Sequence, residues 1–268
     1  MLDLMLYLAL GIAGGLFAGL LGIGGGLVVV PGLLGLFGAR HVPESVAMPL
    51  AVGTSLATIP FTSMSSVRAH HARAAVDWPT LARMAPGVAL GAALGAALAS
   101  HVSANGLKIA FAVYATVTAM QMLASRQVAG RTSLPGGIAL AGGGGLIGGL
   151  SAMAGIGGAA LSVPYLLWCR MPLHRAIGTA SAIAFPVALA AVVVYVVNGA
   201  GAVDPPPWTV GMVYLPALAS IAAASVVAAP VGARLAHQLP VATLRHVFAL
   251  VLLIVAARML PLASWMGA

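Results

Sequence analysis

The sequence predicts an all-α polytopic membrane protein of about eight hydrophobic segments, in two inverted repeats with glycine-broken, re-entrant or discontinuous first and fifth segments. Three observations predict it. Of the 268 residues 61% are hydrophobic and 6% charged, against about 25% charged in a soluble domain. Apolar runs of membrane-crossing length follow one another with no long hydrophilic stretch between them. An ordered series of motifs in the first half returns in the second.

A hydrocarbon core about 30 Å thick needs about 20 apolar residues per helix, which places spans at roughly 4–38, 45–66, 79–100, 106–124, 135–168, 174–197, 208–233 and 243–262. The N-terminus has Asp3 and no Lys or Arg before the first run. It lacks the basic start of a signal peptide and reads as a retained span. The first and fifth runs are too long for one straight helix, and each is interrupted by a glycine cluster and then a proline. The one proline-rich linker is Asp204-Pro205-Pro206-Pro207, a short stiff turn. Trp78, Trp208 and Trp265 lie near span ends, as interfacial anchors do.

Gly22-Ile23-Gly24-Gly25-Gly26 with Pro31 returns as Gly155-Ile156-Gly157-Gly158-Ala159 with Pro164, at the same spacing. Gly53-Thr54-Ser55 returns as Gly178-Thr179-Ala180-Ser181. Leu107 and Phe111 match Leu244 and Phe248, and Met122-Leu123 matches Met259-Leu260. The repeats are therefore 1–130 and 131–268, within one membrane domain. If each broken run crosses once, the basic residues divide evenly between the two faces. If each broken run turns back at its glycines, nine share one face: Arg68, Arg73, Arg83, Arg126, Arg131, Arg170, Arg175, Arg234 and Arg245. Only Arg40, Lys108 and Arg258 then face the other way. Lys and Arg concentrate in cytoplasmic loops. The split favours re-entrant hairpins, inverted repeats and both termini outside the cytoplasm.

Glycine-rich backbone at membrane depth is tolerated only beside protein or a water-filled cavity. Each cluster breaks a helix, so the following piece begins with free N–H groups near the midplane. Such helix starts carry partial positive charge and bind anions. Gly24, Gly25 and Gly26, facing Gly157, Gly158 and Ala159 from the inverted half, make a candidate substrate site. Gly22, Pro31, Gly155 and Pro164 shape the breaks, because proline lacks an N–H and frees a carbonyl one turn back. Thr54, Ser55, Thr179 and Ser181 offer hydroxyls that donate to an oxyanion without burying a charge. Their simpler use is a hydrogen bond to the helix's own carbonyl. Ser162 places a hydroxyl beside the second cluster. Gly11, Gly15 and Gly19, Gly91 and Gly95, and Gly145 and Gly149 recur at a spacing of four and read as helix-packing faces.

Other classes fit less well. The net charge of +8 punctuates apolar runs rather than clustering on a soluble domain, which excludes nucleic acid as a partner and suits anionic lipid. The single cysteine, Cys169, excludes an internal disulfide and a cysteine-rich metal site, and reads as a small apolar filler. No metal or cofactor is called for. The four carboxylates, Asp3, Glu44, Asp77 and Asp204, fall outside confident span interiors, which argues against a cation substrate. The seven histidines lie in loops or at span ends. Arg68-Ala69-His70-His71-Ala72-Arg73 reads as a solvated or headgroup-facing loop, with a cytoplasmic gate that collects anions as the alternative. No His-Glu-x-x-His motif, paired intramembrane aspartate or serine elbow points to an enzyme. A channel would share the broken-helix site, and a scaffold stays as a weaker reading.

With the Gly53-Thr54-Ser55 and Gly178-Thr179 segments, the two glycine–proline motifs resemble the sulfite exporter TauE/SafE family, also called the TSUP permeases. The resemblance covers essentially the whole chain, including its length and twofold repeat. It implies a secondary transporter of the bacterial inner membrane that moves small sulfur oxyanions and organosulfonates such as sulfite and sulfoacetate. Ala159 departs from the pattern, standing where the first motif has Gly26. That weakens the site's symmetry and leaves the second helix end more hindered.

The expectation is thus a transporter whose partners are a small anion and the lipid bilayer. The anion sits at the midplane between the two breaks, and one half rocks against the other. Export down an inside-negative potential needs no coupled ion, while uptake needs a proton or sodium. A homo-oligomer is compatible with the sequence, which sets no oligomeric state. Gly25→Leu is expected to abolish transport while leaving the protein in the membrane.

Overall fold

The computed structural model describes residues 2–22, 24–124, 136–199, 206–236, 238 and 241–259. Ile23, Arg126, Arg131, Asp204, Pro205, His237, Leu260 and Trp265, with the junction between the proposed repeats, lie outside the described residues. The described chain forms ten helices and one small hairpin. These are α1 (Leu2–Leu21), α2 (Gly26–Ala39), α3 (Glu44–His71), α4 (Trp78–Ala99), α5 (Ala104–Ala124), α6 (Gly137–Ala154), α7 (Ala159–Trp168) and α8 (Leu173–Asn198). There follow β1 (Thr209–Val210), β2 (Val213–Tyr214), α9 (Leu215–Ala236) and α10 (Val241–Met259). Helices α1, α3, α4, α6, α8 and α9 are long and apolar enough to cross a membrane. Leu90, Leu94, Leu98, Val113, Leu146, Val193 and Val227 are exposed on the outside of the bundle. Such an apolar surface needs lipid as its solvent.

The two long runs each resolve into a helical hairpin. Helix α2 returns along α1: Asp3 pairs with Arg40, Leu10 packs on Gly32, and Gly14 packs on Gly25. With a rise of 1.5 Å per residue, α1 is about 30 Å long and crosses by itself, while α2 covers about 21 Å on the way back. Helix α7 returns along α6 in the same way, with Gly158 beside Ile147 and Ser151 and Tyr165 against Gly143. Beyond the second helix of each hairpin the chain passes through a residue in the left-handed region, His41 (φ 56) and Arg170 (φ 61). The amides of Val42 and Met171 reach back to the carbonyls of Phe37 and Leu166, both at 3.0 Å, so the last carbonyls of α2 and α7 are satisfied.

Small residues set the helix pairs. Gly11, Gly15 and Gly19 of α1 lie against the backbone of Ile221, Ser225 and Ala229 on α9. Gly87, Gly91 and Gly95 of α4 lie against Ala141, Gly145 and Gly149 on α6. Each pair runs side by side in the same direction. Without a hydrophobic drive between helices in lipid, such close backbone approach supplies the attraction. Helices α3 and α8 cross at the centre, where α3 is the most enclosed span, 78% of its apolar window being buried.

The ends of the bundle follow from these contacts. Asp3, Arg40, Glu44, Lys108, Ser100 and Asn198 meet at the upper end, where Lys108 pairs with Glu44 and Asn198 donates to Ser100. The Asp3 carboxylate beside Arg40, helped by the Tyr214 hydroxyl, raises the guanidinium's pKa. His70, Asp77 and Arg175 mark the lower end. Helix α1 therefore descends and α6 ascends. Two expectations change here. Residues 208–214, assigned to the seventh span, form the β1–β2 hairpin, because Gly211 (φ 57) turns the chain beside the end of α8. The Arg68–Arg73 stretch is not a loop, since α3 runs on to His71. His70 is buried, its Nε2 3.1 Å from the Gly19 carbonyl, which stitches α3 to α1.

Candidate functional site

The glycine clusters end one helix and start the next through left-handed backbone. Gly22, Gly24 and Gly25 have φ of 72°, 75° and 75°, and Gly155 and Gly158 have 74° and 79°. An L side chain is disfavoured there, which is why the chain needs glycine. Gly25 caps α2 and Gly158 caps α7, neither with a side-chain hydrogen bond. The first N–H groups of both helices therefore lack an intrahelical acceptor and carry the positive end of the helix dipole. Pro31 and Pro164 each occupy the sixth position of their helix, freeing the carbonyls of Leu27 and Ala160.

The two breaks meet. A β-carbon placed on Gly24 would lie 3.3 Å from the Gly157 α-carbon, and one on Gly26 would run into the Gly155 carbonyl. Because α2 ascends from this point and α7 descends from it, their N-terminal ends converge. Gly24, Gly25, Gly26, Gly157, Gly158 and Ala159 are all buried. Ile59 of α3 and Ala184 of α8 complete the wall, each within contact of Gly157.

The four hydroxyl residues divide by role. Ser55 donates to the Gly155 carbonyl at 2.9 Å, tying α3 to the opposite break. Ser181 donates to its own Ile177 carbonyl, accepts from Ser66, and lies beside Gly22. Thr54 and Thr179 stand elsewhere: Thr54 accepts the Tyr214 amide at 2.9 Å and Thr179 accepts the Asp77 amide at 2.9 Å. The preceding glycines make this possible. Gly53 lets the Met212 carbonyl approach and Gly178 lets the Ala75 carbonyl approach. The Gly-Thr pair thus docks the loop entering α9 in one case and α4 in the other. Ser162 donates to the Gly158 carbonyl of its own helix.

Sequence reasoning missed Ile59, Ala184 and the two docked loops. Ile59 and Ala184 carry no signal beyond an apolar span. The repeated Gly-Thr pair did mark two equivalent contacts, but residues 75–77 and 212–214 share no pattern that would name them as partners. Ser151, hydrogen-bonded with Tyr114 and close to Gly158, is a further polar group beside the second break.

A bundle with an apolar outer belt and two glycine-broken helices whose starts face each other in its buried centre defines a multi-pass membrane protein with discontinuous helices. The chain belongs to the sulfite exporter TauE/SafE family, which matches residues 7–259. It is similar to a probable membrane transporter protein of Haemophilus influenzae, with 34% identity over 259 residues, covering 96% of this chain and 97% of the relative. Over 77 residues, 29% of this chain and 28% of the relative, it is 35% identical to the probable membrane transporter protein YunE of Bacillus subtilis. No solved structure matches it. The protein is thus a multi-pass membrane transporter of the TauE/SafE type, whose surroundings are lipid and whose cargo is a small solute.

Proposed function

We propose that the protein is a secondary transporter of small oxyanions, of the sulfite or organosulfonate type, working by alternating access in the bacterial inner membrane. One observation carries this reading: two helix starts without side-chain caps, Gly25–Gly26 and Gly158–Ala159, converge in the buried centre. Unpaired N–H groups at positive dipole ends suit an anion and repel a cation. The family's name supports sulfur oxyanions as the class. Residues 1–130 and 131–268 act as inverted repeats, and the opposite courses of α1 and α6 support that arrangement. The binding shell is the backbone of Gly24, Gly25, Gly26, Gly157, Gly158 and Ala159 with the hydroxyls of Ser55 and Ser181. Thr54 and Thr179 act from behind, holding the loops that carry α9 and α4.

The anion cannot reach these amides while Gly24 rests on Gly157, so the halves must part on one side at a time. An inside-negative potential favours anion exit by about 2.3 kcal/mol per charge per 100 mV. Export therefore runs without a coupled ion, whereas uptake requires a proton or sodium.

The test is sulfite flux into proteoliposomes with the potential clamped to either sign. Gly157→Ala is the better probe of the site than Gly25→Leu. At Gly25 a β-carbon would lie 2.7 Å from the Gly14 carbonyl, on left-handed backbone, so the α1–α2 hairpin itself would be lost. At Gly157 the added methyl presses on the side chains of Ala184 and Ile59, at 2.9 and 3.1 Å, and makes ordinary contact with the Gly24 α-carbon at 3.5 Å. Flux that follows the potential, shows trans-stimulation and falls at least about tenfold in Gly157→Ala, about 1.4 kcal/mol in the barrier, is expected. Flux without trans-stimulation would make the protein a channel. Unchanged flux in the variant would move the site away from the glycines.

A further inference from the structure

At the lower end, between the last turns of α3 and α9, a groove of about 570 Å³ is lined by Arg68, Arg73 and Arg234 with Ser65, Ala72 and Pro230. No carboxylate lies in this lining among the described residues. Asp3, Glu44 and Asp77 are ion-paired elsewhere, with Arg40, Lys108 and Arg175. Arg73 is held in place by a 2.7 Å hydrogen bond to the Ala69 carbonyl at the end of α3. Three guanidinium groups around one concavity set up a positive potential that concentrates anions. Their planar forks suit the oxygens of a phosphate, sulfate or sulfonate.

The helix that supplies Arg68 to the groove also carries a buried polar row. On the enclosed helix α3, Ser55, Thr58, Thr62 and Ser66 recur at helical spacing, and each is at most 2% exposed. They run from the Gly155 contact of Ser55, through Thr62 hydrogen-bonded with Ser225 of α9, to Ser66 bonded to Ser181. By helical rise this row is about 16 Å long and ends within one turn of Arg68. The central helix α8 contributes Ser181 to this row and, above it, carries Ala184, Val187, Ala188 and Ala191 along its buried face. The cavity of about 530 Å³ at the upper end, between α4 and α8, is lined among the described residues by neutral polar groups such as Ser100, Asn105 and Asn198, and by Glu44. Among the described residues, the arginine groove and the hydroxyl row thus lie in the same, lower half of the bundle.

We propose that the Arg68–Arg73–Arg234 groove is a second oxyanion site, which collects the transported anion at the lower mouth and passes it along the α3 hydroxyl row to the glycine breaks. Its role in transport rests on the oxyanion-carrier reading; the binding of an oxyanion in the groove does not. A lipid phosphate has the same chemistry, and the hydroxyl row toward the glycines favours the transported ion.

The test labels Ala72→Cys in a Cys169→Ala background, using the full chain in uncharged detergent. An anionic ethylsulfonate thiosulfonate reagent is compared with its cationic trimethylammonium analogue, with inorganic sulfate as competitor. The expected result is a preference for the anionic reagent of roughly tenfold or more, slowed by sulfate, lost in Arg68→Gln/Arg234→Gln and kept in Arg68→Lys/Arg234→Lys. Equal rates for both reagents, or no protection by sulfate, overturn the site. If phosphatidylglycerol, but not phosphatidylcholine, erases the preference and the sulfate protection, the groove is a headgroup site and the collecting role is overturned. In vesicles sorted by orientation, the glutamine pair should raise the KM for sulfite entering from the groove face roughly tenfold and spare the opposite face. An equal KM on the groove face overturns the collecting role. Wild-type protein that labels as expected but moves no sulfite defeats the carrier reading and leaves the oxyanion site standing.

Discussion

Ser55 donates a single hydrogen bond, yet it joins the central helix α3 to the Gly155 carbonyl at the opposite break. Removing the hydroxyl strands a buried carbonyl, at about 1–3 kcal/mol. Ser55→Ala should lower thermal stability in detergent accordingly and slow transport, whereas exposed Ser100→Ala should change stability far less. A melting temperature for Ser55→Ala equal to wild type would show that water replaces the bond. Thr54 and Thr179 make a matched pair of tests. Thr54→Val and Thr179→Val keep shape but leave the amides of Tyr214 and Asp77 without acceptors. Each is expected to cost about 1–3 kcal/mol, read as hydrogen exchange at residues 212–215 or 75–78. Unchanged protection of those amides would mean that the Gly-Thr pair does not hold the loops.

At the scale of elements, the α4–α6 and α1–α9 pairs depend on surfaces without side chains. A β-carbon on Gly91 would run into the Gly145 carbonyl. Gly91→Val forces α4 from α6, and overpacking of this kind costs about 1–3 kcal/mol or more. Gly35 and Gly142 have open space around them. Gly35→Ala and Gly142→Ala should therefore be neutral or stabilising by about 0.5–1 kcal/mol, since alanine restricts the chain more than glycine does. Thermal unfolding of the purified variants separates the two classes, and equal melting of Gly91→Val and Gly35→Ala would contradict the packing. The same contacts explain why the glycine spacing was readable: a period of four on one helix face has few uses besides close approach.

At the scale of the molecule, charge and chain direction act together. Arg68, Arg73, Arg83, Arg170, Arg175 and Arg234 belong to the lower end, and Arg40 and Lys108 to the upper. A basic end faces the cytoplasm. Helix α9 descends and α10 returns, so the C-terminus is expected outside the cytoplasm with the N-terminus. A C-terminal alkaline phosphatase fusion should be active and a green fluorescent protein fusion dark; the reverse pair of results would invert the orientation and make the arginine groove an external one.

The sequence by itself determined the lipid-solvated all-helical class, the six spans α1, α3, α4, α6, α8 and α9 and the two glycine breaks, because composition and hydrophobic run length are local properties that lipid reads directly. It also marked the Gly-Thr pairs as equivalent, since a repeat preserves them. Only the tertiary structure decided what those pairs do, because the Met212, Tyr214, Ala75 and Asp77 backbone atoms they hold have no side-chain signature. It likewise decided that Gly24 rests on Gly157, that His70 is buried under Gly19, and that Arg68, Arg73 and Arg234 share one groove. Each of these joins residues far apart in the chain, and such proximity follows from how the helices pack rather than from the pattern along any one of them.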